Sequence, residues 1–155
     1  MYSQFSPIDY GRRYVVFDAP SEDNADIYAK KLKGYRVQTV VRACGPSFDP
    51  KVFEDQGIRL VDLWFKDGGF PSGKVIDRWK ELLATVPVDQ PIGVYCLVGL
   101  GRAPTLVAIA LIEAGLPPAQ AVLLIRDRRP KCFNNSQLDQ ILNYKRKESG
   151  TCCIC

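Results

Sequence analysis

Histidine is absent from all 155 residues of the sequence. Its absence excludes catalysis by a Cys–His or Ser–His pair and disfavours a zinc site, because imidazole is one of the common zinc ligands. No apolar run approaches the roughly 18 residues that a membrane-spanning helix needs, and the first residues lack the apolar stretch of a signal peptide. We therefore expect no transmembrane helix, no secretory leader, no metal ion and no other cofactor.

Two common nucleotide-binding motifs are also missing. Gly99 and Gly101 are followed by Pro104, where a dinucleotide-binding loop carries its third glycine. The lysine of a Walker phosphate loop is absent as well. A net charge of +4 allows an anionic ligand or an anionic membrane surface, but it does not indicate nucleic acid.

Six cysteines are present without the regular spacing of a disulfide framework, which indicates a reducing compartment. The length is that of one domain with a substantial core. Strand-like and helix-like stretches alternate along the chain, and this alternation predicts an α/β fold with a single, mainly parallel β-sheet flanked by helices. Residues 1–13 are polar and are expected to be loose at their start.

The predicted strands and helices are bounded by turn and capping residues. Strands are predicted over residues 14–17, 37–41, 58–63 and 92–95. Helices are predicted over 48–56 and 106–113, after the capping residues Ser21 and Ser72, and from about Pro117 and Asn135. A ligand of such a sheet binds beyond the carboxyl ends of its strands, and Cys44, Asp67 and Cys96 all follow strands there.

A loop from Cys96 to Arg102 lies between the strand at 92–95 and the next helix. Backbone N–H groups of such a loop, together with the N-terminus of the helix, suit an anion of phosphate geometry. Arg102 adds a planar fork for two oxygens, and the same positive field favours a Cys96 thiolate, which is a nucleophile for phosphorus. The predicted phosphate-binding residues are Leu97, Val98, Gly99, Leu100, Gly101 and Arg102. The alternative is a glycine-rich turn with a buried cysteine.

The leaving oxygen of a phosphate ester needs a proton. Asp67 is the best-placed donor because it follows a strand and precedes Gly68 and Gly69. The same Asp–Gly pair also fits a plain turn. Asp62 is interpreted as a residue at the edge of a strand. Gln137 could orient a hydrolytic water, but a surface position on the last helix is the favoured interpretation.

Several motifs together resemble one enzyme family. They are VVRAC ending at Cys44, WFKDGGFPS around Asp67, CLVGLGRAP from Cys96 to Pro104, ALIEAG, FNNSQL and the terminal CCIC. The chain resembles the protein tyrosine phosphatases of the dual-specificity class, and within it the prenylated phosphatases of regenerating liver (PRL, or type 4A). Low-molecular-weight phosphatases and arsenate reductases share the Cys-x5-Arg motif, but they carry it near the N-terminus with the acid after it, which is the opposite order.

The resemblance implies a two-step reaction under redox control. Cys96 attacks phosphorus, Arg102 and the loop amides hold the oxygens, and Asp67 protonates the leaving group. Water then hydrolyses the cysteinyl-phosphate. In relatives, a cysteine that matches Cys44 forms a reversible disulfide with the nucleophile, so the resemblance implies a Cys44–Cys96 pair.

Two positions beside the motif predict weak chemistry. Tyr95 stands where the family usually has histidine, and Ala103 lacks the hydroxyl that normally helps to expel the thiolate. Slow turnover is therefore expected. The alternative function is a weakly active or inactive phosphatase that binds CNNM-type magnesium transporters, as relatives do, with an acidic side chain in the phosphate pocket.

The last four residues fit a prenylation box with Cys152 as the modified residue, although cysteine is unusual at the final position. The alternative is a cysteine-rich tail without function. We expect a phosphatase domain over 1–148 and this tail over 149–155. The prenyl group and the basic residues Lys145, Arg146 and Lys147 predict binding to membranes, at the cytoplasmic face of the plasma membrane or endosomes with a cytosolic pool. The expected substrate is a phosphoprotein or another phosphomonoester.

Overall fold

A computed structural model describes residues 4–146 of the chain, so Lys147, Cys152 and the predicted tail lie outside the described residues. The strands are β1 (Phe5–Tyr10), β2 (Arg12–Asp18), β3 (Thr39–Arg42), β4 (Arg59–Asp62) and β5 (Ile92–Cys96). They form one five-stranded sheet in the order β1-β2-β5-β3-β4. β1 is antiparallel to β2, and the other three pairings are parallel. The predicted α/β fold with a single, mainly parallel sheet is confirmed.

Helices cover both faces of this sheet. They are α1 (Ala25–Gly34), α2 (Lys51–Glu54), α3 (Gly73–Thr85), α4 (Arg102–Glu113), α5 (Pro118–Arg128) and α6 (Asn135–Leu142). α4 is apolar almost all round, and it lies against β2 and β5 with α3, α5 and α6 around it. α1 and α2 contact each other on the opposite face. Within residues 4–146, every helix is too short or too polar to span a bilayer.

Two helix boundaries differ from the prediction. α1 begins at Ala25 and its N-cap is Asn24, so the prediction that Ser21 caps it is wrong. The Asn24 side chain instead accepts a hydrogen bond from the Ser21 amide at 2.7 Å, which makes a separate turn before the helix. α2 covers Lys51–Glu54 and not 48–56, because the residue before Pro50 is pushed out of the helical region. The other predicted elements are present, with ends that differ by a few residues.

The N-terminal segment contains a strand that the sequence analysis did not predict. Residues 5–10 each pair with β2 in the edge strand β1, while the start expected to be loose, residues 1–3, lies outside the described residues. Phe5, Ser6 and Ile8 are buried, and Pro7 is tolerated because an edge strand has no ladder to complete on one side. Gly11 makes the turn into β2 at a φ of 68°. Antiparallel pairing across this tight turn, which the polarity of a short segment does not reveal, decides the conformation.

The carboxyl ends of the parallel strands lie at one edge of the sheet. The Ala43 amide donates to the carbonyl of Tyr95 at 2.9 Å, so the pairing of β3 with β5 continues beyond the end of β3. Cys44 and Asp67 lie in the segments that follow β3 and β4, and Cys96 is the last residue of β5, so all three are at this edge. This edge is therefore the place to look for a functional site.

Candidate active site

The buried Cys96 ends β5 and starts the loop that leads into α4. Its Sγ accepts a hydrogen bond of 3.4 Å from the amide of Ala103, which lies in the first turn of α4. The N-terminal amides of a helix carry a partial positive charge. The sulfur therefore lies where protein geometry stabilises a negative charge.

Arg102 is held by the two neighbouring loops. Its side chain is only 7% exposed, and Nη1 donates to the carbonyls of Ala43 and Phe65 at 3.4 Å each. Nε has no hydrogen-bond partner among residues 4–146, although the Asp67 carboxylate lies 3.6 Å away. A buried guanidinium with an unused donor is suited to binding an anion.

Asp67 reaches this guanidinium from an exposed turn. The Gly69 amide donates to the carbonyl of Lys66 at 2.9 Å, and Gly68 adopts a φ of 75°. The Asp67 side chain is 80% exposed, yet its Oδ1 lies 3.6 Å from Nε of Arg102. The Asp–Gly pair is thus a turn, as in the plain interpretation, and the same turn brings Asp67 beside Arg102. Asp67, Arg102 and the loop that begins at Cys96 therefore lie together at one site.

The N-terminus of α6 holds the turn of Asp67 in position. Asn134 donates through Nδ2 to the carbonyl of Gly68 at 3.0 Å, and Gln137 donates through Nε2 to the carbonyl of Gly69 at 3.1 Å. The two amide side chains also form a capping box with each other's backbone. A Cβ placed on Gly101 would lie 3.2 Å from Nε2 of Gln137, so the loop of residues 96–102, the predicted phosphate loop, packs directly on this side chain.

The surface position favoured for Gln137 is therefore wrong, since the residue is 1% exposed. Its burial follows from the capping box and from the two loops that close over it. The pattern Asn134-x-x-Gln137 is the sequence signal that could have identified this helix start and its buried amide. Asp62 does lie at the end of β4, where Arg42 grips both of its oxygens at 2.6 and 3.0 Å.

Cys44 lies close to the loop that begins at Cys96. The residue before it, Ala43, is held on both sides, because its amide bonds to Tyr95 and its carbonyl accepts from Arg102. Burial, followed by the nearby Cys96 sulfur, raises the pKa of the Cys44 thiol. Burial also raises the pKa of a third thiol, Cys132, to about 12. All three cysteines are free thiols in the structure.

Tyr95 packs on the face of the sheet opposite to Cys96. Successive side chains of a strand point to opposite faces of the sheet, so Tyr95 faces away from Cys96. Its ring stacks on Phe17 at 5.1 Å, and its hydroxyl lies beside the Arg42 guanidinium without completing a hydrogen bond among the described residues. Burial raises the pKa of the Tyr95 phenol, although the neighbouring Arg42 acts in the opposite direction.

Thr105 does not supply the hydroxyl that Ala103 lacks. Thr105, two residues further along α4, donates its Oγ1 to the carbonyl of Gly101 at 2.7 Å. It is fully buried and committed to the helix start. Residues 4–146 also contain no group of three or more His, Cys, Asp or Glu side chains that could hold a metal ion.

Comparison with known proteins decides the family, although no family model matches the chain. The chain is 43% identical over 145 residues to the probable protein tyrosine phosphatase type IVA A of Dictyostelium discoideum, with 92% of this chain and 87% of that protein covered. It is 44% identical over 144 residues to the PRL-1 phosphatase of Drosophila melanogaster, with coverages of 90% and 82%. The chain belongs to the type IVA, or PRL, family of protein tyrosine phosphatases.

Solved structures agree with this assignment of the PRL chain. A protein tyrosine phosphatase from Leishmania major has a TM-score of 0.82 and 35% identity, with 93% of this chain and 100% of that chain covered. The kinase associated phosphatase, at 17% identity and a TM-score of 0.74 over 91% and 93% of the two chains, shows the shared fold alone. The resemblance to PRL phosphatases is confirmed, and the chain is a protein tyrosine phosphatase.

Proposed function

We propose that this PRL phosphatase hydrolyses phosphomonoesters through a cysteinyl-phosphate on Cys96. The observation that carries the proposal is the environment of the sulfur. Its Sγ accepts the Ala103 amide at the start of α4, and the loop that it begins ends in a buried Arg102 with an unused Nε. A nucleophile and an anion-binding guanidinium are thereby part of one loop.

The reaction follows from these positions in two steps. In the first, the Cys96 thiolate bonds to phosphorus, the bond from phosphorus to the leaving oxygen breaks, and Asp67 gives its proton to that oxygen. In the second, the Asp67 carboxylate takes a proton from water as the water oxygen bonds to phosphorus and the thiolate leaves. The loop amides of residues 97–102 and the Arg102 guanidinium stabilise the remaining phosphate oxygens in both steps.

The second step is expected to be slow. The departing thiolate receives the Ala103 amide but no hydroxyl, because residue 103 is alanine and Thr105 already donates to Gly101. A phosphoenzyme should therefore accumulate during turnover. Rapid-quench mass measurement would detect it as an 80 Da increase on Cys96, about the mass of one added phosphoryl group.

Mutation of the two reacting groups tests the mechanism. Cys96→Ser should abolish hydrolysis of an aryl phosphate under reducing conditions, because a hydroxyl without a base is a poor nucleophile. Asp67→Ala should reduce the rate by about 10²- to 10⁴-fold for poor leaving groups and by less for good ones. Cys132→Ser is the matched control, since it removes another buried thiol outside this loop. Full activity in Cys96→Ser would overturn the mechanism.

We also propose redox control through Cys44. Its support is the position of Cys44 beyond the end of β3, next to the strand that ends at Cys96, where the two sulfurs are near enough for Cys96 to influence the Cys44 thiol. Peroxide would oxidise Cys96 to a sulfenic acid, the Cys44 sulfur would attack it, and water would leave as the disulfide forms.

A second candidate function is binding of an acidic side chain in the same pocket. The supporting observation is the Asp67 carboxylate, which already lies 3.6 Å from Nε of Arg102 and shows that carboxylate and guanidinium fit together there. A partner such as a CNNM-type magnesium transporter would supply such a carboxylate from outside. Cys96→Ser should then retain binding of the transporter's cytoplasmic domains, and orthovanadate should compete with them. Binding that is unaffected by orthovanadate would exclude the pocket as the docking site.

The third proposal is an anchor at the cytoplasmic face of the plasma membrane or endosomes through a prenyl group on Cys152. Its support is the terminal sequence and the exposed Lys145 and Arg146, which precede the end of the described region. A substrate or partner at the membrane would then be the one that the enzyme meets most often.

A further inference from the structure

Arg129 connects the phosphate loop with the N-terminal strand. It directly follows α5 and is 1% exposed. Its Nε donates to the carbonyl of Gly99 at 2.7 Å, and its Nη2 donates to the carbonyl of Val98 at 3.3 Å. On the other side, Nη1 donates to Oγ of Ser6 at 2.9 Å and to the carbonyl of Gln4 at 3.2 Å.

The two loop carbonyls determine where two loop amides point. The carbonyl of Val98 shares a planar peptide with the amide of Gly99, and the carbonyl of Gly99 shares one with the amide of Leu100. In a trans peptide the C=O and N–H bonds point in opposite directions, and residues 4–146 contain no cis peptide. Because Arg129 draws both carbonyls towards itself, the amides of Gly99 and Leu100 face away from it.

The loop backbone lies directly on Arg129. Gly99 has a φ of 79°, and a Cβ at this position would lie 2.6 Å from Nη2 of Arg129 and 2.9 Å from the carbonyl oxygen of Phe17. Only glycine fits this close approach with a positive φ. The guanidinium contacts the Val98–Gly99 and Gly99–Leu100 peptides directly, so a substitution of Arg129 should change the orientation of these two peptides.

We propose that Arg129 is a positioning residue of the phosphate loop, which turns the amides of Gly99 and Leu100 towards the phosphate oxygens by binding the carbonyls of Val98 and Gly99. The inference rests on the proposed function, since it assumes that the loop amides bind phosphate. It also gives β1 a part in the reaction. Ser6 and Gln4 fix the far side of the guanidinium and so stabilise the orientation that the loop needs.

Arg12, the first residue of β2, provides a matched control, because it lies at the end of this strand that is far from the phosphate loop. It is also a buried arginine, and its guanidinium donates to four backbone carbonyls at distances of 2.8–3.2 Å, none of them in the phosphate loop. The four carbonyls belong to Leu83, Val86, Pro87 and Gln90. Loss of Arg12 should therefore lower stability in the same general way without turning the loop amides.

The experiment compares Arg129→Lys and Arg129→Met with Arg12→Lys and Arg12→Met. Urea unfolding gives the stability of each variant, and competitive inhibition by orthovanadate gives its oxyanion affinity per folded molecule. Both pairs should be less stable than wild type. Only the Arg129 pair should lose orthovanadate affinity, by about 10- to 100-fold, because two amide hydrogen bonds to a charged ligand are misaligned. Arg129→Lys should retain more affinity than Arg129→Met, while the Arg12 pair stays within about twofold of wild type.

Ser6→Ala gives a milder test in case the Arg129 variants do not fold. It removes one of the hydrogen bonds that orient the guanidinium and leaves both loop contacts in place. It should weaken orthovanadate binding by about threefold with little loss of stability. Unchanged affinity in Ser6→Ala and in every folded Arg129 variant would overturn the positioning role. A wild type that neither hydrolyses aryl phosphate nor binds orthovanadate would instead overturn the proposed function.

Discussion

Adjacent residues of β5 have very different environments, and the pleat of the strand is the reason. Cys96 faces the start of α4 and accepts a backbone hydrogen bond there. Tyr95 faces the other side, where its ring stacks on Phe17 and lies 6.3 Å from Phe48. Tyrosine in place of the usual histidine therefore adds an aromatic ring to the cluster of Phe17 and Phe48 on the face of the sheet opposite to Cys96.

Tyr95→Phe should leave the free energy of unfolding unchanged or raise it by up to about 1 kcal/mol, because it removes a buried hydroxyl without a hydrogen-bond partner. Hydrolysis of aryl phosphate should stay within about twofold of wild type, since the side chain faces away from the sulfur. Urea unfolding and steady-state kinetics measure the two effects.

Tyr28→Phe is the control for this change. The Tyr28 hydroxyl donates to Asp18 at 2.7 Å and accepts from Gln4 at 3.2 Å, so its removal should destabilise the fold by about 1 to 2 kcal/mol. If Tyr95→Phe proves as destabilising as Tyr28→Phe, the Tyr95 hydroxyl has a partner that this arrangement does not provide.

At the level of elements, the N-terminus of α6 holds the turn of Asp67 in position through two side-chain amides. Asn134 caps the helix by accepting from the Gln137 amide at 2.7 Å, and it donates to the carbonyl of Gly68 with its other amide atom. The two functions of Asn134 use different atoms. A substitution can therefore remove one and keep the other.

Asn134→Asp keeps the capping oxygen but loses the donor to Gly68. We expect normal helix stability and about a 3- to 10-fold slower hydrolysis of esters with poor leaving groups, because one hydrogen bond that holds the turn of Asp67 is lost. Good leaving groups, which need less help from the acid, should be affected less. The measurement is the dependence of the rate on the pKa of the leaving group.

Asn135→Asp is the matched control, since it makes the same chemical change one residue later at an exposed position. Its leaving-group dependence should equal that of wild type. If both variants hydrolyse esters with poor leaving groups equally slowly, the added negative charge, and not the lost contact with Gly68, slows the reaction.

The ends of β3 and β5 allow a test of redox control. Mild peroxide should join Cys44 to Cys96 and thereby protect Cys96 from further oxidation to sulfinic acid. Cys44→Ser should instead accumulate the sulfinic form, while Cys132→Ser should behave as wild type. Peptide mapping by mass spectrometry identifies the products, and a thiol reductant should restore activity only to the disulfide form. Recovery of a Cys96–Cys132 bridge would contradict the assignment of Cys44.

Local patterns explain which elements could be predicted and which could not. The strand, glycine-bearing loop and apolar helix around Cys96 are contiguous in sequence, so their order could be derived from periodicity and capping alone. Gln137 could have been identified only through its capping-box spacing from Asn134. Arg129 could not, because a long polar side chain is normally exposed and becomes buried only when distant segments supply its partners. β1 was missed for a different reason, since it pairs with the next strand across the turn at Gly11 but carries polar residues and Pro7, which weaken its strand pattern.

On the scale of the whole molecule, the site is assembled from segments far apart in sequence. Arg129 binds β1 and the phosphate loop, and Arg102 binds the backbone beyond β3 and β4. Catalytic geometry is therefore coupled to the general stability of the fold, and the family assignment by overall similarity is consistent with a site spread over most of the chain.

The end of the described chain lies near the turn of Asp67. The Tyr144 ring is 6.3 Å from the ring of Phe70, which follows that turn, and Lys145 and Arg146 come next and are exposed. Cys152 is six positions after Arg146, and the chain between them can reach at most about 20 Å. A prenyl group on Cys152 would therefore hold the active site close to the membrane surface.

Cys152→Ser should move the protein from the membrane fraction to the cytosol. A single prenyl chain gives marginal binding, so the basic residues should matter as well. Each lysine or arginine near an anionic surface adds about 1 kcal/mol, and replacement of Lys145, Arg146 and Lys147 by glutamine should weaken partitioning by roughly two decades. The effect should be larger at low salt, where screening is small.

Cys153→Ser is the control and should remain on membranes. Fractionation and the mass of the C-terminal peptide are the measurements, and wild-type protein that is soluble and unmodified at Cys152 in its native cell would exclude the anchor without affecting the phosphatase mechanism.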